Sequence, residues 1–213
     1  MPEPSATRPE SRGERKERTR RAILDGALAL SGESTLVALS LRQVAKEVGI
    51  VPTAFYRHFD SIEALGLALV DESFVSLRAM LRDVRGGDPA LTDVVDRSVS
   101  ILDDHVHRQR AHFRFIARER AAGPPAVREA IRHEIELCER ELATDLARLT
   151  GTESWSAEDL RVLSNLIVTA MVATAEQIMV AVGRPGAEKQ IVENARTQLR
   201  MVLVGALNWQ SRQ

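Results

Sequence analysis

Aromatic side chains are scarce: the 213 residues hold eight, and Phe55, Tyr56 and Phe59 crowd three of them into five positions. Cysteine occurs once, at Cys138, so no disulfide framework can staple a loop-rich fold, and a reducing compartment, the cytoplasm, is expected. Neither sign of charge dominates. The 29 Lys and Arg against 30 Asp and Glu leave −1, so attraction to nucleic acid must come from a local patch. Residues 1–21 are polar and hold no apolar signal core, and charge is expected to interrupt the apolar stretches before 18 residues, which argues against export by that route and against a membrane span. No segment alternates as a strand and no repeat recurs, so the chain reads as all-α, long enough for one or two domains with their own core.

Residues 1–15, rich in Pro, Ser and Gly, bury too little apolar surface to offset ordering and read as a disordered arm. From Arg8 to Arg21 seven basic residues face three acidic ones, a local excess of +4. Ile23, Leu24, Ala27, Leu28 and Ser31 then keep helical spacing, predicting a helix from Lys16 to Ser31. Ser40 with Gln43 forms a capping box ahead of Leu41, Val44, Ala45 and Val48, and Gly49 supplies a left-handed stop. Pro52 suits the first turn of a further helix reaching Phe59. Its Phe55 and Phe59 face inward, which leaves Thr53, Tyr56 and Arg57 outward. Asp60 with Glu63 resembles a second capping box, and Ile62, Leu65, Leu69, Phe74 and Leu77 continue a helix to about Asp83, roughly 35 Å long at about 1.5 Å per residue.

Beyond the Arg85–Pro89 turn, helices are predicted over 90–109, 111–122, 125–149 and 156–182, with Thr150–Trp155 as a loop and a last helix ending near Trp209. The 156–182 helix is apolar around much of its circumference and should be covered from more than one side. His105, His107, His112 and His133 all fall on helices. The i, i+2 spacing of His105 and His107 is a poor metal clamp, and solvated positions are expected for these histidines. Asp103 and Asp104 are adjacent and diverge; Cys138 sits in an apolar stripe and reads as core. No phosphate-cradling glycine loop, zinc motif or nucleophile elbow occurs, so neither enzyme activity nor a metal or cofactor is expected.

Three short helices behind a basic arm suggest a helix-turn-helix, whose second helix enters the DNA major groove. Thr53 and Tyr56 can bond bases or phosphates, Arg57 and His58 can pair with backbone charge, and small Ala54 can touch a thymine methyl. Arg18, Arg20 and Arg21 would neutralise phosphates, and Ser40, Arg42 and Pro52 complete the candidate DNA-facing set. By pattern alone, an ordinary three-helix core remains an equal reading.

The stretch Thr19–Leu69, with Leu41-Arg42-Gln43-Val44-Ala45, Val48-Gly49-Ile50, Phe55-Tyr56-Arg57-His58-Phe59 and Glu63-Ala64-Leu65, resembles the DNA-binding domain of TetR-family transcriptional regulators. The resemblance implies an all-α homodimer of about nine helices per subunit. Its first three helices would hold an operator half-site, the fourth would link to a regulatory domain and move with its ligand, and the last two would form the dimer interface. Residues 16–60 would then be the DNA-binding domain and 61–213 the ligand-binding and dimerisation domain. Many members open the fourth helix with a phosphate-binding Lys where this chain has Ile62, leaving Ser61 or His58 to substitute.

A narrower resemblance, through Phe55–Phe59, Glu63-Ala64-Leu65-Gly66-Leu67, Val70-Asp71-Glu72-Ser73, Phe113-Arg114-Phe115 and Arg118-Glu119-Arg120, is to the branch that represses fatty acid biosynthesis and desaturation genes and senses acyl thioesters. It implies an effector that is a long-chain acyl-CoA or fatty acid, with Phe74, Phe113, Phe115, Ile116, Arg118, Arg120, Ile167 and Met171 as candidate ligand-binding residues. The Arg-Glu-Arg charges read also, and somewhat more readily, as a solvated or ion-paired helix face. Aliphatic residues available for a cavity favour an acyl chain, at about 0.8 kcal/mol per buried methylene. Two alternatives stand beside this: an efflux-gene repressor sensing a lipophilic drug, and a helical lipid-binding protein without operator specificity.

Overall fold

The computed structural model describes residues 11–85, 91–148 and 155–211. Among these residues the structure is helical throughout, with nine α-helices, one 3-10 turn and no strand. The predicted turn at Arg85–Pro89 and loop at Thr150–Trp155 lie largely outside the described residues, as do residues 1–10 of the expected arm.

Helix α1 spans Arg12–Ser31. It begins before the predicted Lys16 because Ser11 accepts from the Glu14 amide at 3.2 Å while the Glu14 carboxylate accepts from the Ser11 amide at 2.7 Å. This reciprocal cap makes Arg12 to Arg15 helical where an arm was expected. A 3-10 turn at Leu36–Ala38 follows and buries Leu36. Helix α2, Leu41–Val48, starts with the predicted Ser40–Gln43 box. It ends at Gly49, whose φ of 73° lets Ile50 reach back to the Ala45 carbonyl at 2.9 Å.

Helix α3 is shorter than predicted, covering Pro52–Phe55. Tyr56 to His58 form a tight turn whose amides reach i−3 carbonyls, Arg57 to Ala54 and His58 to Phe55. Helix α4, Ile62–Arg85, is capped by Ser61, whose Oγ accepts from the Ala64 amide at 3.0 Å. Ser61, rather than the predicted Asp60, thus occupies the capping position.

The remaining helices are α5 (Leu91–Arg108), α6 (Arg110–Ala122), α7 (Pro125–Leu146), α8 (Ala157–Ala181) and α9 (Pro185–Leu207). One core gathers Ile23, Leu28, Leu36, Val44, Phe55, Phe59, Leu65 and Leu69 from α1 to α4 together with Phe115, Val127 and Ile131 from α6 and α7. A second joins α5, α6, α8 and α9 around Val99, Leu102, Phe113, Ile178 and Leu199. One core thus runs continuously from the first four helices into α6 and α7. Gly66 permits the close approach, because a Cβ there would meet Leu36 Cδ1 at 2.5 Å and Val127 Cγ2 at 2.9 Å.

In helix α8 the uncharged run from Val162 ends at Glu176, short of 18 residues as expected, although by length and composition the helix could still cross a membrane. Here it packs against α5, α6, α7 and α9. Only part of its apolar surface is covered within the chain: Val162, Leu166 and Val180 are exposed, as are Met201, Val204 and Leu207 of α9.

Candidate nucleic-acid interface and internal cavity

Buried Phe55 and Phe59, with ring centroids 5.9 Å apart, anchor the turn that follows α2. Tyr56 meets Phe55 edge-on at 6.2 Å and is 55% exposed, so its phenol stands outward from a buried aromatic base. Pro52, Thr53 and Arg57 are exposed beside it, and Ala54 is half-buried. Ser40 and Arg42, at the start of α2, are also exposed, as is Arg18 on α1.

Of the residues expected at the phosphates, Arg20 and Arg21 have partners inside the fold, and His58 is withdrawn from the surface. The Arg20 guanidinium lies 4.4 Å from the Phe59 ring centroid and donates to the His58 carbonyl at 3.3 Å, fastening α1 to the end of the turn. Arg21 pairs with Glu72 of α4 at 2.7 Å and with Asp25 at 3.2 Å. His58 is half-buried and its Nδ1 has no hydrogen-bond partner. Desolvation first, then nearby Lys16 and Arg20, hold this imidazole below its ordinary pKa, which favours the neutral ring over a phosphate-pairing cation.

The structure also brings together polar groups that local pattern did not. His112 is not solvated: it is half-buried on α6, with Nδ1 2.9 Å from Ser73 Oγ. The Ser73 hydroxyl donates to the Leu69 carbonyl at 2.7 Å, so its oxygen accepts from His112 Nδ1–H. Burial lowers the His112 pKa, against the nearby Glu72 carboxylate. Glu119, a candidate surface charge, is fully buried; one carboxylate oxygen accepts from the Leu36 amide at 2.9 Å and the other has no partner. Desolvation raises its pKa, opposed by the Leu36 amide and Arg118.

A cavity of about 300 Å³ lies among α4 to α9. Of the predicted ligand residues, Phe74, Phe113, Ile116, Arg120, Ile167 and Met171 line it. Phe115 and Arg118 do not. Phe115 is buried in the N-terminal core, and Arg118 donates to the Ser31 carbonyl at 3.1 Å. Helical phase separates the two sets. Phe113, Ile116, Ala117 and Arg120, at i, i+3, i+4 and i+7, face the cavity, whereas Phe115, Arg118 and Glu119 face α1 and the 3-10 turn. Cys138, expected in plain core, also lines the cavity. No cluster of His, Cys, Asp and Glu suited to a metal ion occurs among the described residues.

Residues 23–69 match the family model of bacterial regulatory proteins, tetR family. Solved regulators share the whole-chain fold. A putative transcriptional regulator from Pseudomonas aeruginosa PAO1 is 13% identical, with 90% of this chain and 93% of that one covered at a TM-score of 0.71. GusR of Salmonella enterica is 21% identical over 90% and 96% at 0.69. The fatty acid degradation regulator FadR from Bacillus halodurans is 12% identical over 91% and 97% at 0.68. Such identities speak for the fold. The family match covers the N-terminal helices from α1 into α4, the part of the chain that carries the outward face of residues 52–57.

Proposed function

We propose that the chain is a homodimeric repressor of lipid or fatty acid metabolism genes that sets Thr53, Ala54, Tyr56 and Arg57 against base edges and phosphates in the major groove of a palindromic operator. The observation that carries this reading is the outward face of residues 52–57, where Tyr56 is exposed on a buried Phe55 base. Arg18, Ser40, Arg42 and Pro52 flank that face and supply backbone contacts. Arg20, Arg21 and His58 serve instead to hold α1, the turn and α4 in register, since their polar groups are engaged or buried inside the subunit.

The exposed apolar stripe of Val162, Leu166, Val180, Met201, Val204 and Leu207 supports dimerisation through α8 and α9, because a face of this kind needs a cover and two-fold pairing covers it with its own copy. Two-fold symmetry places the half-sites about 34–36 Å, or a multiple, apart. The protein then works in the cytoplasm, without a membrane partner, α8 being covered by its twin.

The effector is a long-chain acyl compound, a fatty acid or acyl-CoA, lying in the cavity against Phe74, Phe113, Ile116, Arg120, Ile167 and Met171. Aliphatic walls favour it, and FadR, a structural relative, is described as a fatty acid degradation regulator. Its influence reaches the DNA-binding helices through α6, one face of which lines the cavity while the other holds the Ser31 carbonyl and the Leu36 amide, and through α4. A ligand shifts this equilibrium only as far as its affinities for the two states differ. In a gel shift, Tyr56→Ala should weaken operator binding while size exclusion shows the dimer unchanged; unaltered DNA binding would refute the assignment.

A further inference from the structure

The cavity wall is apolar, with the thiol of Cys138 and two Met thioethers among its lining, apart from Ser98, Asp145 and one ion pair, Arg120 of α6 with Glu176 of α8, whose nitrogen and oxygen lie 2.5 Å apart. Along α8 the lining descends from Glu176 through Ala175, Met171 and Ile167 to Leu163, thirteen residues or roughly 20 Å at about 1.5 Å per residue. The side chains of Arg120 and Glu176 are 40% and 37% exposed, so the pair stands where the long apolar cavity meets water.

We infer that this ion pair is the head-group subsite of the cavity, and that its occupant is an amphiphile whose anionic oxygens, carboxylate or phosphate, take Arg120 from Glu176. The inference rests on the reading of the cavity as an acyl-chain site and adds which end of the ligand meets Arg120 and which ion pair it opens. Exposed ion pairs are held weakly, so the exchange costs little, and a guanidinium presents a fork that fits two anionic oxygens at once. The surroundings favour an anion over a cation. Glu176, once displaced, faces a surface groove that Arg184 also lines. An entering cation would leave Arg120 unpaired beside its own charge. Asp145, the other carboxylate of the wall, has Arg148 at 3.9 Å. Exchange at Arg120 also breaks a link between α6 and α8, and Arg118 and Glu119 next to it hold the DNA-binding helices.

The test is calorimetry on the full chain with three probes of one chain length: dodecanoate, dodecanol and dodecylamine. Dodecanoate should bind roughly tenfold more tightly than the alcohol, with the amine weakest. Arg120→Gln should abolish the preference for the acid over the alcohol, and an unchanged helical circular dichroism spectrum shows that the variant is folded. Glu176→Gln should act in the opposite direction and tighten dodecanoate several-fold, because the internal competitor has been removed. Equal binding of acid and alcohol, tightest binding of the amine, or a preference that survives Arg120→Gln would overturn the head-group assignment alone. Binding of none of the three would overturn the acyl cavity and the head-group subsite together.

Discussion

Replacing Arg20 separates two physical roles that local sequence cannot distinguish. If the guanidinium serves the fold, Arg20→Ala removes its contact with the Phe59 ring, 4.4 Å from the centroid, and its long hydrogen bond to the His58 carbonyl at 3.3 Å. A cation–π contact at a half-buried site contributes about 0.5–2 kcal/mol. A hydrogen bond this long lies at the low end of about 0.5–1.5 kcal/mol. The combined cost is about 1–2 kcal/mol, a melting point lower by a few degrees for a chain of this size. Operator affinity should fall because the turn carrying Tyr56 and Arg57 loses its brace. The slope of log affinity against log salt should stay the same, since no phosphate contact is lost. Arg20→Lys should fail to restore stability, because an ammonium keeps the charge without the planar stack. The assay is a salt series of fluorescence anisotropy on operator and random DNA, beside thermal unfolding. An unchanged melting point, a salt slope reduced by about one, and full rescue by Lys would refute the reasoning and return Arg20 to the phosphates.

Glu119 gives a pH signature. Burial raises its folded-state pKa above the ordinary 4.5, so the folded chain holds this proton more tightly than the unfolded chain, and the group's contribution to stability declines as pH rises from about 4.5 through the raised value. Glu119→Gln keeps an acceptor for the Leu36 amide and cannot ionise; in urea unfolding its stability relative to the parent should climb across that pH window, and a flat difference would show the carboxyl to be unshifted. Val204→Asp, on the exposed α9 stripe, places two carboxylates in the proposed two-fold interface, where uncompensated charge costs several kcal/mol. Light scattering should report a helical monomer with greatly reduced operator affinity, and a surviving dimer would remove α8 and α9 as its interface.

Features set by near neighbours were legible in the sequence. Ser40 with Gln43, Gly49 and Pro52 each act within four residues, and each stands where spacing placed it. Competing local options were harder to resolve: Ser61 and Asp60 can both cap α4, and Ser11 and Glu14 extend α1 into a stretch whose composition alone suggests disorder. Contacts between distant residues left no local trace. Arg20 meets Phe59, Arg21 meets Glu72 and Glu119 meets Leu36 across 39, 51 and 83 positions, so three charges that looked solvent-facing or phosphate-facing have internal partners. Helical phase could have sorted α6, because Phe113, Ile116 and Arg120 share one face from which Phe115 and Arg118 diverge. The apolar girth of α8 was plain in the sequence, but the structure divides it among core, cavity and an outer stripe.

Selection of bound sequences from a random duplex pool, with and without dodecanoate, tests sequence-specific, ligand-responsive regulation most directly. The account predicts enrichment of an inverted repeat with half-sites one helical turn or a multiple apart, whose occupancy changes when the ligand is present. Retention of DNA without any enriched repeat, while dodecanoate still binds, would contradict it and favour a helical lipid carrier.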